Sequence, residues 1–106
     1  MFSMGLVMKL RGGAYAEYKE AHDNLWPSLA QGMHDNHVNM AIYLFGDRLF
    51  VHATAPTEAH WLASREDPEL DRWHQYMATL LEIDDHGEIA FEQLPEAFAF
   101  GEFARE

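Results

Sequence analysis

The chain has 106 residues and a mass of 12.2 kDa, enough for one domain around one hydrophobic core. Its composition, 48% hydrophobic, 13% aromatic and 24% charged, excludes a disordered chain. Seven Lys and Arg against 18 Asp and Glu give a net charge of −11, and there is no cysteine. Disulfides, thiolate metal sites and cysteine nucleophiles are therefore excluded, and nucleic acid or an anionic membrane is a poor partner.

Phe2 to Leu10 reads as a strand, with no basic stretch ahead of an apolar run that would mark a signal peptide. Arg11-Gly12-Gly13 signals a turn. From Ala14 to about Met33 the period becomes helical: Tyr15, Tyr18, His22, Leu25, Leu29 and Met33 recur at three- and four-residue steps. Pro27 is expected to kink this helix or restart it near Leu25-Trp26. His37 to Phe45 is strand-like, with Val38, Met40, Ile42 and Leu44 on one parity and Asn39, Ala41 and Tyr43 on the other. Gly46-Asp47 suits a two-residue hairpin turn, and Arg48 to Thr54 is its second arm. Pro56-Thr57-Glu58 starts a short helix through Leu62. Asp67-Pro68-Glu69 offers a cap, a proline in the first turn and an acid behind it. Leu70, Trp73, Met77 and Leu80 form the buried stripe of the helix that follows, and a final strand falls between Glu88 and about Phe100.

The order β-α-β-β-α-β is the ferredoxin-like split βαβ pattern, an α+β fold in a single domain over residues 1–106. Helices would cover one face of its sheet. A homodimer that pairs two sheets is the simplest cover for the other. No run of ~20 apolar residues marks a membrane span, and a cytoplasmic location is the default expectation.

Tyr18 and His22 are four apart and share one helix face. A phenol beside an imidazole can give and take protons near neutral pH, although a packed tyrosine and a satisfied core histidine have the same spacing. Trp73 offers an indole platform for the C–H face of a sugar or another flat ligand, or a core side chain. His74 lies one position round the helix. Tyr43 is able to turn a hydroxyl to the same cavity or to pack across strands. His34 and His37 span a helix-to-strand turn, and His52, His60 and His86 are isolated, so no metal-ligand pattern emerges. Phosphate loops, nucleophile elbows and dinucleotide fingerprints are missing from the sequence as well.

The series Tyr18-x-x-x-His22-x-x-x-Trp26-Pro27, Ala41-Ile42-Tyr43-Leu44, Leu49-Phe50 and Arg72-Trp73-x-x-Tyr76-Met77 resembles the L-rhamnose mutarotase family over about residues 5 to 100. The resemblance implies a dimeric α/β barrel that interconverts the α and β anomers of L-rhamnose with no metal or organic cofactor. It implies that His22 is the proton donor and Tyr18 its partner, with Tyr18, Tyr43, Trp73 and the position of His74 contacting the monosaccharide. His74 departs from the family, which carries a second tryptophan there, and Ile83-Asp84-Asp85-His86-Gly87 replaces an Asn-Pro-Asp-like stretch. Both departures bear on which sugar is taken. A cofactor-free monooxygenase on the same scaffold and a non-catalytic metabolite-binding domain are the competing expectations.

Overall fold

A computed structural model of the chain describes residues 1–104. Strand β1 (Phe2–Lys9) leads into helices α1 (Tyr15–Asp23) and α2 (Pro27–Asp35), then into the hairpin of β2 (Asn39–Phe45) and β3 (Arg48–Ala55). Helices α3 (Glu58–Ser64) and α4 (Glu69–Met77) follow, and β4 (Phe91–Gln93) completes an antiparallel sheet of order β2-β3-β1-β4. A single 3-10 turn lies at Gly101–Phe103. Among the described residues no helix is long and apolar enough to cross a membrane.

Of the two outcomes open at Pro27, the chain takes the restart. Trp26 is extended at ψ 132°, as a residue before proline prefers, and Pro27 opens α2. The hairpin turns on Gly46 at φ +63°, the first of the two residues between the paired Phe45 and Arg48. At the start of α4, Asp67 Oδ1 accepts the Glu69 N–H at 2.8 Å, so the aspartate caps the turn that Pro68 begins. The final strand is much shorter than its sequence window. Only Phe91–Gln93 pairs with β1, opposite Leu6–Met8.

Alternation along β3 points Leu49, Val51, Ala53 and Ala55 to one side, and all four are buried. Their register partners Met8, Leu6, Met4 and Phe2 on β1 share that face, as do Leu44, Ile42 and Met40 on β2. The core gathers at one end of this face, where Leu10, Leu29, Leu49, Met77, Leu80 and Leu81 enclose Tyr18 and Trp73. Arg11 ties β1 to the end of α4: its Nε donates to Leu81 O at 2.8 Å and its Nη2 to Ala78 O at 2.6 Å. At the other end Phe2 stacks on Trp61 of α3, with ring centroids 6.0 Å apart. The opposite face stays open, with Tyr43 67% and Phe45 78% exposed.

Leu49 is 2% exposed and sits where sheet and helices meet. Leu49→Ala is expected to lower unfolding free energy by about 2–5 kcal/mol, read from the midpoint of urea unfolding.

Candidate active site

Between the helix-covered sheet face and the helices lies a cavity of about 740 Å³. Its floor is apolar, from Met4, Leu6 and Met8 of β1, Met40 and Ile42 of β2, and Val51 of β3. Its walls bring together Tyr18 and His22 of α1, Trp61 and Arg65 around α3, and Trp73 and His74 of α4. Four of the five residues singled out from the sequence therefore meet in one place.

The hydrogen bonds of α1 decide the chemistry of His22. Its Nδ1 lies 2.8 Å from the Tyr18 backbone carbonyl. A carbonyl oxygen only accepts, so Nδ1 carries the proton and Nε2 of the neutral ring keeps its lone pair. The His22 ring lies 4.1 Å from the Tyr18 ring and meets Trp73 edge-on at 5.1 Å. Burial pulls the His22 pKa below its usual 6.5, partly offset by the carbonyl bond and by Asp23. The imidazole is thus neutral at pH 7. Burial pushes the Tyr18 phenol far above its usual value of 10, so it keeps its proton. That hydroxyl makes no hydrogen bond to the described residues, yet it is not a sealed orphan and it faces the cavity. The site therefore holds a free base and a free hydroxyl donor side by side.

Trp73 is held from behind. Trp26 packs edge-on against it at 5.2 Å, and Tyr76 does so at 6.1 Å. The Tyr76 hydroxyl donates to Glu17 Oε2 at 2.8 Å, which fastens α4 to α1. This bracing fixes the angle between the indole and the imidazole.

Tyr43 does not join the site. It lies on the β2 parity opposite Met40 and Ile42, so its side chain faces the open side of the sheet. The period of two along a strand allows no other outcome once Ile42 packs inward. Met40 takes the cavity-facing place instead.

Arg65 and Trp61 were not visible as site residues. The sequence window for α3 stops at Leu62, but the helix runs to Ser64. That extension places Arg65 one turn beyond Trp61, with its guanidinium 5.1 Å above the indole centroid. Arg65 Nη2 donates to His74 Nε2 at 3.2 Å. Burial, and then the Arg65 charge, lower the His74 pKa against an opposing effect of Asp71. The i, i+4 spacing of Trp61 and Arg65 is the signal that was present in the sequence.

A family model described as L-rhamnose mutarotase matches residues 3–100. Among curated relatives, the L-rhamnose mutarotase of Agrobacterium fabrum is 35% identical over 87 residues, covering 78% of this chain and 81% of that protein. The one from Bacillus subtilis is 30% identical over 97 residues, covering 87% and 91%. The crystal structure of an L-rhamnose mutarotase from Formosa agariphila matches with a TM-score of 0.77 at 25% identity, over 95% of this chain and 100% of that one. A NIPSNAP domain protein from Burkholderia xenovorans, 14% identical with a TM-score of 0.63 over 95% and 100%, shares the fold alone.

Fold, cavity and these matches together define a small α+β isomerase acting on carbohydrates. The chain belongs to the L-rhamnose mutarotase family.

A histidine-resolved NMR titration is expected to show His22 protonating below pH 6.5, with the Nδ1–H tautomer above it. A midpoint at or above 6.5 would remove the burial argument.

Proposed function

We propose that this protein interconverts the α and β anomers of L-rhamnose or a related aldose, with His22 and Tyr18 moving the protons. The observation that carries the reading is the His22 tautomer. Its Nε2 is left as a base beside the Tyr18 hydroxyl and the Trp73 indole, in a cavity large enough for a monosaccharide.

Anomer exchange opens the pyranose and recloses it on the other face. The anomeric hydroxyl loses its proton, the bond from C1 to the ring oxygen breaks, and the ring oxygen gains a proton. Neutral His22 takes the first proton at Nε2. The resulting imidazolium is stabilised by its Nδ1–H bond to the Tyr18 carbonyl. The imidazolium then delivers the proton to the ring oxygen, which is bonded to the same carbon, so His22 ends as it began. Rotation about C1–C2 and the reverse sequence give the other anomer. The Tyr18 hydroxyl donates a hydrogen bond to whichever sugar oxygen carries developing charge. Trp73 stacks against the C–H face of the ring. Family membership favours this reading over the cofactor-free oxygenase and the non-catalytic binder.

The homodimer belongs to the same proposal, with the sheet order that of a ferredoxin-like domain. The isolated chain has 7408 Å² of accessible surface, against about 6,100 Å² for a compact monomer of this mass. Its radius of gyration is 14.2 Å, against about 13 Å. Tyr43 and Phe45 on the open face, with Phe98 and Phe100 of the tail 81% and 79% exposed, are the apolar groups a second copy would cover.

His22→Gln should slow enzyme-dependent anomer exchange by about 10²–10⁴-fold in a protein with an unchanged circular dichroism spectrum. Tyr18→Phe should slow it by about tenfold to a hundredfold, one charge-assisted hydrogen bond being lost. Both are read by exchange NMR on L-rhamnose, and full activity in folded His22→Gln overturns the assignment. Light scattering at micromolar concentration should give twice the chain mass. Tyr43→Glu with Phe45→Glu should return it to the monomer.

A further inference from the structure

We infer that the sugar this cavity takes carries a carboxylate, an aldohexuronic acid, and that Arg65, supported by His74, reads that carboxylate. This rests on the mutarotase reading and narrows its substrate class.

Arg65 is the cation of the cavity wall, half-buried, with its guanidinium over Trp61 and one N–H spent on His74 Nε2. Among the described residues it forms no ion pair. Lys9, Lys19 and Arg72 all have carboxylate partners within 4.0 Å, and Arg11 is spent on two backbone carbonyls. Arg48 also lacks an ion pair among the described residues, but it is exposed to solvent and lies outside the cavity. In a chain with 18 Asp and Glu, a partly desolvated guanidinium that none of them pairs with among the described residues is suited to an anionic ligand. Removing a cation from water is costly unless a partner restores the lost interaction. His74 brings no opposing charge. It accepts from Arg65 at Nε2, so it is neutral and carries its proton on Nδ1.

The guanidinium fork matches a planar carboxylate with two parallel hydrogen bonds. A carboxylate on C5 of a pyranose adjoins the ring oxygen. A sugar stacked on Trp73 would present its anomeric carbon to His22, 5.1 Å from that indole, and its C5 substituent toward the residue next in the chain, His74. A neutral 6-deoxy sugar carries a methyl group at that position, which leaves the guanidinium unmatched.

Two features oppose an anion. Glu88 also lines the cavity, but it is exposed and forms no ion pair with Arg65. The net charge of −11 is spread over the surface, where water and salt screen it within about 8–10 Å. Near the sugar, the half-buried cation dominates. A purely structural role is the alternative: Arg65 caps the C-terminal end of α3 and covers Trp61. That role has no dependence on the charge of the sugar.

The test is anomer exchange by NMR on D-galacturonate and D-galactose, with D-glucuronate, L-rhamnose and D-glucose 6-phosphate alongside. It uses the wild type, Arg65→Gln and Arg65→Lys, each with a folded circular dichroism spectrum. The wild type should favour galacturonate over galactose in kcat/KM. Arg65→Gln should lower that ratio by about 10- to 100-fold, and Arg65→Lys should restore part of it. An unchanged ratio, or preference for the neutral sugars or the 6-phosphate, overturns the inference. If no sugar exchanges at all, the mutarotase reading falls separately. Saturation-transfer binding then decides the carboxylate: galacturonate binding lost in Arg65→Gln supports it, and binding that ignores Arg65 overturns it.

Discussion

Alternation along β3 puts Leu49, Val51, Ala53 and Ala55 under the helices, and this one-sided burial decides where a cavity can form. The helix layer is pinned to the sheet at two ends. The leucine cluster around Leu49 and Leu81 holds one end, and the Phe2–Trp61 stack holds the other. Between them Met4, Leu6, Met40, Ile42 and Val51 reach up from the sheet without meeting a full layer of side chains from above. The gap is lined below by apolar groups and above by the polar and aromatic tips of α1 and α4. Such a pocket suits a ring with one apolar face and several hydroxyls.

Within it, chemistry follows from a backbone contact. Tyr18 supplies its carbonyl to His22 Nδ1 and its hydroxyl to the cavity. One residue thereby sets the tautomer of the base and stands beside it as a donor. The i, i+4 spacing makes both contacts local to α1, so they hold whatever the sugar. Burial then separates the two groups by moving their pKa values apart, the imidazole down and the phenol up. At neutral pH one is an empty base and the other a full donor, as the proposed proton exchange between two oxygens on one carbon requires. In the inference drawn for Arg65, substrate choice lies elsewhere, on the α3 side of the pocket.

Local signals were legible in the sequence and long-range ones were not. The Pro27 restart, the Gly46 turn and the Asp67-Pro68 helix start depend on residues a few positions apart, and each is where its local chemistry puts it. Tyr18, His22 and Trp73 were legible because helical periodicity names the inward face before the partner is known. Tyr43 was not, because a strand with large apolar side chains on both parities, Met40, Ile42 and Leu44 on one and Tyr43 and Phe45 on the other, does not say which face the helices cover. The length of β4 depends on how much of β1 stays free to pair. Arg65 follows the helix as cap and side chain together, and its place in the pocket depends on α3 crossing toward α4. Neither can be counted off along the chain.

The central claim is that neutral His22 is the base. The most direct test follows α/β exchange of L-rhamnose and the His22 ring resonances in the same wild-type sample from pH 4.5 to 8. Burial lowers the His22 pKa, so exchange should rise with pH through a midpoint below 6.5, coincide with the His22 titration, and stay flat above it. An enzyme-dependent rate that falls as His22 loses its proton, or that ignores it, would contradict the account.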